Sequence, residues 1–78
     1  MLSVQISSTR KVWVSFTNDT YPNKGGYFCQ VYNDPNGEDE IDNFVVHNYE
    51  IGTSITDENE RRKKAMVIAN RRVKDMLS

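Results

Sequence analysis

Seventy-eight residues make room for one domain with a modest core, and a composition 37% hydrophobic and 27% charged marks a globular rather than a disordered chain. The longest apolar runs are a few residues, which excludes a membrane-spanning helix, and MLSVQISSTRK lacks the basic-then-apolar order of a secretory signal. A single cysteine, Cys29, rules out an internal disulfide, and together these features point to a cytoplasmic protein.

The formal net charge of −1 conceals an asymmetry. Residues 1–60 hold three Lys/Arg against ten Asp/Glu, and residues 61–78 hold seven Lys/Arg against Asp75 alone. An acidic body carries a basic tail segment. Such a charge dipole is neutralised within the fold, by a partner, or by a second copy of the chain, so a homodimer is one expectation.

From Met1 to Thr17 the apolar residues alternate. Leu2, Val4 and Ile6 share one parity, as do Val12, Val14 and Phe16. The pattern predicts either one bent strand or a hairpin turning at Ser7–Arg10. Residues 18–26 are dense in turn formers and read as a loop. Tyr27–Tyr32, YFCQVY, reads as an aromatic-rich strand. In Asn33–Gly37, Pro35 presets a turn and Asn36-Gly37 tolerates left-handed conformations. Glu38, Asp39 and Glu40 then form an acidic lip. Ile41–Ile51 is expected as the returning strand, broken by Gly52.

The last element is the one with helical periodicity. Ser54 or Thr56 is expected to cap it, Asp57, Glu58 and Glu60 sit at its positive end, and Arg71, Arg72 and Lys74 near the other. Projected at roughly 100° per residue, Ala65, Met66, Ala69, Val73, Met76 and Leu77 share one side. Lys63, Lys64, Arg71 and Lys74 share the opposite side with Val67. Arg61, Arg72 and Ile68 lie on a flank. Glu60 and Lys64 are spaced for an i,i+4 pair. The expected fold is α+β: a three- or four-stranded antiparallel sheet from residues 1–52, with one helix, 57–77, packed on one face. All eight aromatics precede the helix, so the sheet supplies the bulk against a stripe containing two alanines. There is one domain and no internal repeat.

Catalytic and metal chemistry finds little to work with. One Cys and one His exclude an intrachain zinc site. The run from Asp34 to Asp42 is acidic, but aligning Gly37 with the glycine of a calcium loop puts Tyr32 and Asn43 where Asp and Glu are needed. A solvated turn is the better reading. Cys29 and His47 make a nucleophile–base pair only if their strands bring them together; Cys29 otherwise reads as a small core residue. Gly25-Gly26 lacks the residues of a phosphate loop. No cofactor is expected, and an enzyme is the least favoured class.

Two binding surfaces remain. One is the basic helix face of Lys63, Lys64, Arg71 and Lys74, with Arg61 and Arg72 beside it, suited to phosphates or an acidic protein. The other is the sheet face away from the helix. If Val12, Val14, Phe16, Cys29 and Val31 face the helix, then Trp13, Phe28 and Tyr32 face out, beside the acidic lip of Glu38, Asp39 and Glu40. Exposed aromatics stack bases in some folds, but acidic surroundings repel phosphates and favour a protein partner.

The strands-then-helix order, ending in ERRKKAMVIANRRVKDML, resembles the second half of double-stranded-RNA-binding domains. Arg62, Lys63, Ala65, Ala69, Arg71 and Arg72 fall in comparable places. The arm-binding domains of phage-type integrases are laid out similarly. The resemblance covers residues 27–77; it lacks the preceding helix of the first family, and the acidic hairpin departs from both. It implies nucleic-acid binding through the helix, whereas a sequence pI near 5.7 argues against a basic-patch binder. The leading expectation is therefore a small protein-binding module, an accessory or inhibitory protein that docks on a larger machine. Short Asn-rich chains of this kind are often phage or mobile-element products. Direct nucleic-acid binding is the alternative.

Overall fold

A hairpin opens the chain. In the computed structural model, which describes residues 1–18 and 26–78, β1 (Leu2–Gln5) pairs antiparallel with β2 (Lys11–Asn18). The turn closes through the N–H of Ile6 donating to the Arg10 carbonyl at 2.9 Å. Of the two readings of the N-terminal stretch, the hairpin is therefore the one adopted. The loop expected at 18–26 falls mostly on residues outside those described.

β3 (Tyr27–Tyr32) pairs with β2, and β4 (Glu40–Val46) pairs with β3, giving an antiparallel sheet of order β1-β2-β3-β4. Asp34 builds the β3–β4 turn. Its carboxylate accepts the backbone N–H groups of Asn36, Glu38 and Asp39 at 3.2, 3.0 and 2.8 Å. Gly37 supplies the left-handed φ of 73° that the turn needs. Val31 pairs with Asp42 but Tyr32 with Glu40, so Ile41 is the extra residue of a bulge.

β4 is shorter than expected. The stretch read as strand through Ile51 leaves the sheet after Val46 and forms one helical turn, α1 (Asn48–Ile51). Glu50 drives the change locally: its carboxylate accepts the His47 N–H at 2.7 Å, satisfying an orphan donor at the turn's start. Gly52, at φ 105°, ends it.

The C-terminal helix, α2 (Glu58–Leu77), begins one residue later than expected, and its cap is neither Ser54 nor Thr56. Asp57 takes that role, accepting the Glu60 N–H at 3.3 Å. Ala65, Ala69 and Val73 are fully buried against Val4, Val12, Val14, Val31 and Val46, with Tyr27, Cys29 and Ile51 completing the core. Alanines four residues apart let the helix axis approach the sheet closely. Met76 departs from its expected place: it is 38% exposed, while Leu77 is half-buried. Burying each valine contributes about 1.5–3 kcal/mol, more than an exposed ion pair supplies. Among the described residues no helix is long and apolar enough to cross a membrane.

Candidate functional site

Strand parity divides the aromatic residues between two faces. Val12, Val14, Cys29 and Val31 are buried under α2, and the alternate positions point away from it. On that outer face Trp13 stands directly opposite Tyr32 in the register, and Phe28 opposite Val45. Trp13, Phe28, Tyr32 and Val45 are all half-buried, retaining accessible ring or methyl surface. On the side the helix leaves uncovered these residues form two rows, Phe28–Val45 and Trp13–Tyr32, roughly 13 Å apart along β3, with the polar row of Ser15, Gln30 and Asn43 between them and the Trp13–Tyr32 row next to the β3–β4 turn.

The acidic lip borders this patch. Glu40 is the register partner of Tyr32, and its carboxylate accepts the Gln30 side-chain amide at 2.7 Å. The turn folds back against the aromatic ring: a Cβ built on Gly37 would lie 3.7 Å from Tyr32. Asp39 accepts the Asn33 side-chain amide at 3.0 Å, and Glu38 is exposed beside it. The Asp39, Glu38 and Asn36 amides together hold the Asp34 carboxyl below the usual carboxylate range, although burial acts the other way. Of the six residues expected on this surface, Trp13, Tyr32 and Glu40 share one row, Phe28 lies in another, and Glu38 and Asp39 stand in the adjoining turn.

The expected basic face divides. Lys63, Lys64, Arg71 and Lys74 are exposed, around a Val67 that is 64% exposed. Lys63 pairs with Glu60 at 3.6 Å, the i,i+3 partner rather than the Glu60–Lys64 pair expected. Both groups are solvated, so this pair adds about 0–1 kcal/mol. Arg61 and Arg72 instead turn toward the chain. Arg61 donates to the carbonyls of Gly52 and Ile55 at 2.8 and 2.7 Å and to the Asn48 side chain. Arg72 donates to the Val45 carbonyl at 3.0 Å, pairs with Glu50, and lies 5.2 Å from the Phe44 ring centroid. These two guanidinium groups fasten α2 to the α1 segment. Sequence reasoning placed both on the helix flank, which was the available signal, yet grouped them with the outward cations.

Cys29 behaves as a core residue. It is fully buried, and burial pushes its thiol up to about 12. Its register partners are Phe16 and Phe44, while His47 lies beyond the end of β4 and stacks on Tyr49 with ring centroids 5.2 Å apart. The geometry does not assemble Cys29 and His47 as register neighbours. Among the described residues no group of three or more His, Cys, Asp or Glu is placed to share a metal ion.

One bond was not foreseen. The Tyr27 hydroxyl donates to the Glu58 carboxylate at 2.6 Å, tying the start of β3 to the first turn of α2. Burial, followed by this acceptor, raises the phenol to about 12.

Comparison with protein-family models, curated proteins and solved structures finds no match to this chain.

Proposed function

We propose that the chain is a non-enzymatic docking module, an accessory or inhibitory protein whose outer sheet face binds a protein partner. The observation that carries this reading is the pairing of Trp13 with Tyr32, next to Glu40, on the face opposite α2. Aromatic side chains that bury on contact dominate the energy of protein interfaces, and a polar rim excludes water around them. Glu38, Asp39 and Glu40 supply that rim and set the partner's complementary charge as positive.

Direct nucleic-acid binding through α2 is the second reading. Lys64, Arg71 and Lys74 favour it, because all three point to solvent and make no ion pair among the described residues. Four exposed cations on one helix face are a small electrostatic footprint for a chain of net charge −1.

The test is a pull-down from the chain's native cell extract, with and without nuclease, using wild type, Trp13→Ala and the pair Lys64→Glu/Arg71→Glu. The docking reading expects a nuclease-resistant protein partner that Trp13→Ala loses. A partner that nuclease removes, and that Trp13→Ala retains, would replace it with the second reading.

A further inference from the structure

We infer that the chain associates with itself head to tail, the outer face of α2 in one copy seating on the acid-rimmed aromatic face of the next. This rests on the docking reading above and names an occupant for that face. Two surfaces on opposite sides of the molecule match in both charge and polarity. The first has Trp13 and Tyr32 at its centre, with Glu38 and Glu40 at its rim. The second has the exposed Val67 at its centre, with Lys63 and Arg71 one helical turn to either side and Lys64 and Lys74 nearby.

Among the described residues, no ion pair links the two surfaces. Among the described residues the ion pairs are Lys63–Glu60, inside α2, and Arg72–Glu50 on its flank. Glu40 and Asp39 meet the uncharged amides of Gln30 and Asn33, and among the described residues Glu38 takes part in no ion pair. Among the described residues, Lys64, Arg71 and Lys74 form no ion pair. A net charge of −1 leaves two copies with almost no overall repulsion, so the local complementarity decides. The chain already seats guanidinium groups on rings, Arg62 at 5.8 Å from the Phe16 centroid and Arg72 at 5.2 Å from that of Phe44. Arg71 of one copy over Trp13 or Tyr32 of the next repeats that contact. Because the two surfaces differ and face opposite ways, the contact is heterologous and continues past a dimer.

The experiment is sedimentation velocity over a concentration series at low ionic strength, read alongside the emission of Trp13, the sole tryptophan. Two charge-reversed proteins are compared with wild type: Lys64→Glu/Arg71→Glu and Glu38→Lys/Glu40→Lys. All four side chains are exposed, and circular dichroism checks that each protein is folded. Wild type is expected to grow past a dimer with concentration and to shift its Trp13 emission as it does so. Each reversed protein alone is expected to be monomeric, and an equimolar mixture of the two to associate again. A monomeric wild type, a reversed protein that associates as wild type does, or a mixture that stays monomeric each overturns the inference. A monomeric wild type that still captures a partner through Trp13 leaves the docking reading standing.

Discussion

Arg72 and Glu50 form an ion pair across the seam between α2 and α1, and the same guanidinium donates to the Val45 carbonyl on β4. One side chain therefore joins helix, helical turn and edge strand. Burial alone would raise the Glu50 carboxyl, but the His47 N–H and Arg72 outweigh it and hold the group below its usual range. A depressed folded pKa contributes stability that is present above the ordinary glutamate value and is lost as pH falls through the folded one. Glu50→Gln should therefore flatten the acid side of the stability profile in thermal melts below neutrality. Arg72→Ala removes the guanidinium donor from Val45 and from one Glu50 oxygen, and should cost about 1.5–3 kcal/mol in a denaturant titration. Arg72→Lys should recover only part of that, since an ammonium lacks the planar fork that reaches both acceptors.

Ala69 tests the helix–sheet distance. It is fully buried at the contact between α2 and the sheet's valines. Ala69→Leu forces extra methylenes into a filled space and should destabilise by about 1–3 kcal/mol. Val67→Leu, on the exposed face of the same helix, should leave the melting temperature nearly unchanged. Equal melting temperatures for Ala69→Leu and wild type would mean that α2 packs on another face.

Alkaline pH should lower the protein's stability through two buried groups. Cys29 is raised from 9.0 to about 12 and Tyr27 from 10.0 to about 12. Raised folded pKa values mean that the unfolded chain loses these protons first. The stability they carry is complete below the unfolded values and falls as pH rises through the window from about 9 to about 12. Cys29→Ala should make the fall begin near pH 10 rather than 9 and reduce its slope from there to about 12, leaving the part due to Tyr27. In the folded protein at neutral pH, Cys29 should react with a thiol reagent far more slowly than in denaturant. Rapid labelling together with loss of binding would make it a functional thiol.

Much of the sheet was legible because strand parity is a local property. The alternation that sent Val12, Val14, Cys29 and Val31 inward also sent Trp13, Phe28 and Tyr32 outward. The end of β4 was not legible, because Ile51 continues the apolar pattern of the strand. What redirects the chain is a contact of the Glu50 carboxylate with the His47 N–H, which periodicity does not register. The bulge at Ile41 depends on the offset between two strands, and single-strand alternation carries no offset. Ser54, Thr56 and Asp57 are all competent caps, and the path out of α1 places Asp57 at the helix start. Arg61 and Arg72 were grouped by charge with the solvated lysines. Their long stems and planar heads let them reach backbone carbonyls from a flank position, a three-dimensional fact that composition hides.

Salt separates the two functional readings. If the outer face of α2 binds duplex nucleic acid, each phosphate that it neutralises releases condensed counterions, and affinity falls with a log–log slope near −0.9 per contact. Contacts from Lys63, Lys64, Arg71 and Lys74 would give a slope of about −4. Lys64→Glu/Arg71→Glu should then abolish binding while the fold survives, because neither side chain is part of the core. If the sheet face instead anchors a protein, salt alters the association rate more than the final affinity. Trp13→Ala or Tyr32→Ala should then weaken binding by about 2 kcal/mol or more, beyond any single lysine change. Phe28→Ala should follow the same direction. The expected outcome is the second pattern, since the Trp13–Tyr32 pair and the acidic rim beside it form one surface hostile to phosphates. A gel-shift titration with random-sequence DNA and RNA at low and moderate salt checks it, and should give weak binding that reversing Lys64 and Arg71 barely changes. Tight, salt-sensitive binding that those two substitutions remove would place function on α2 and leave Trp13, Phe28 and Tyr32 as sheet packing.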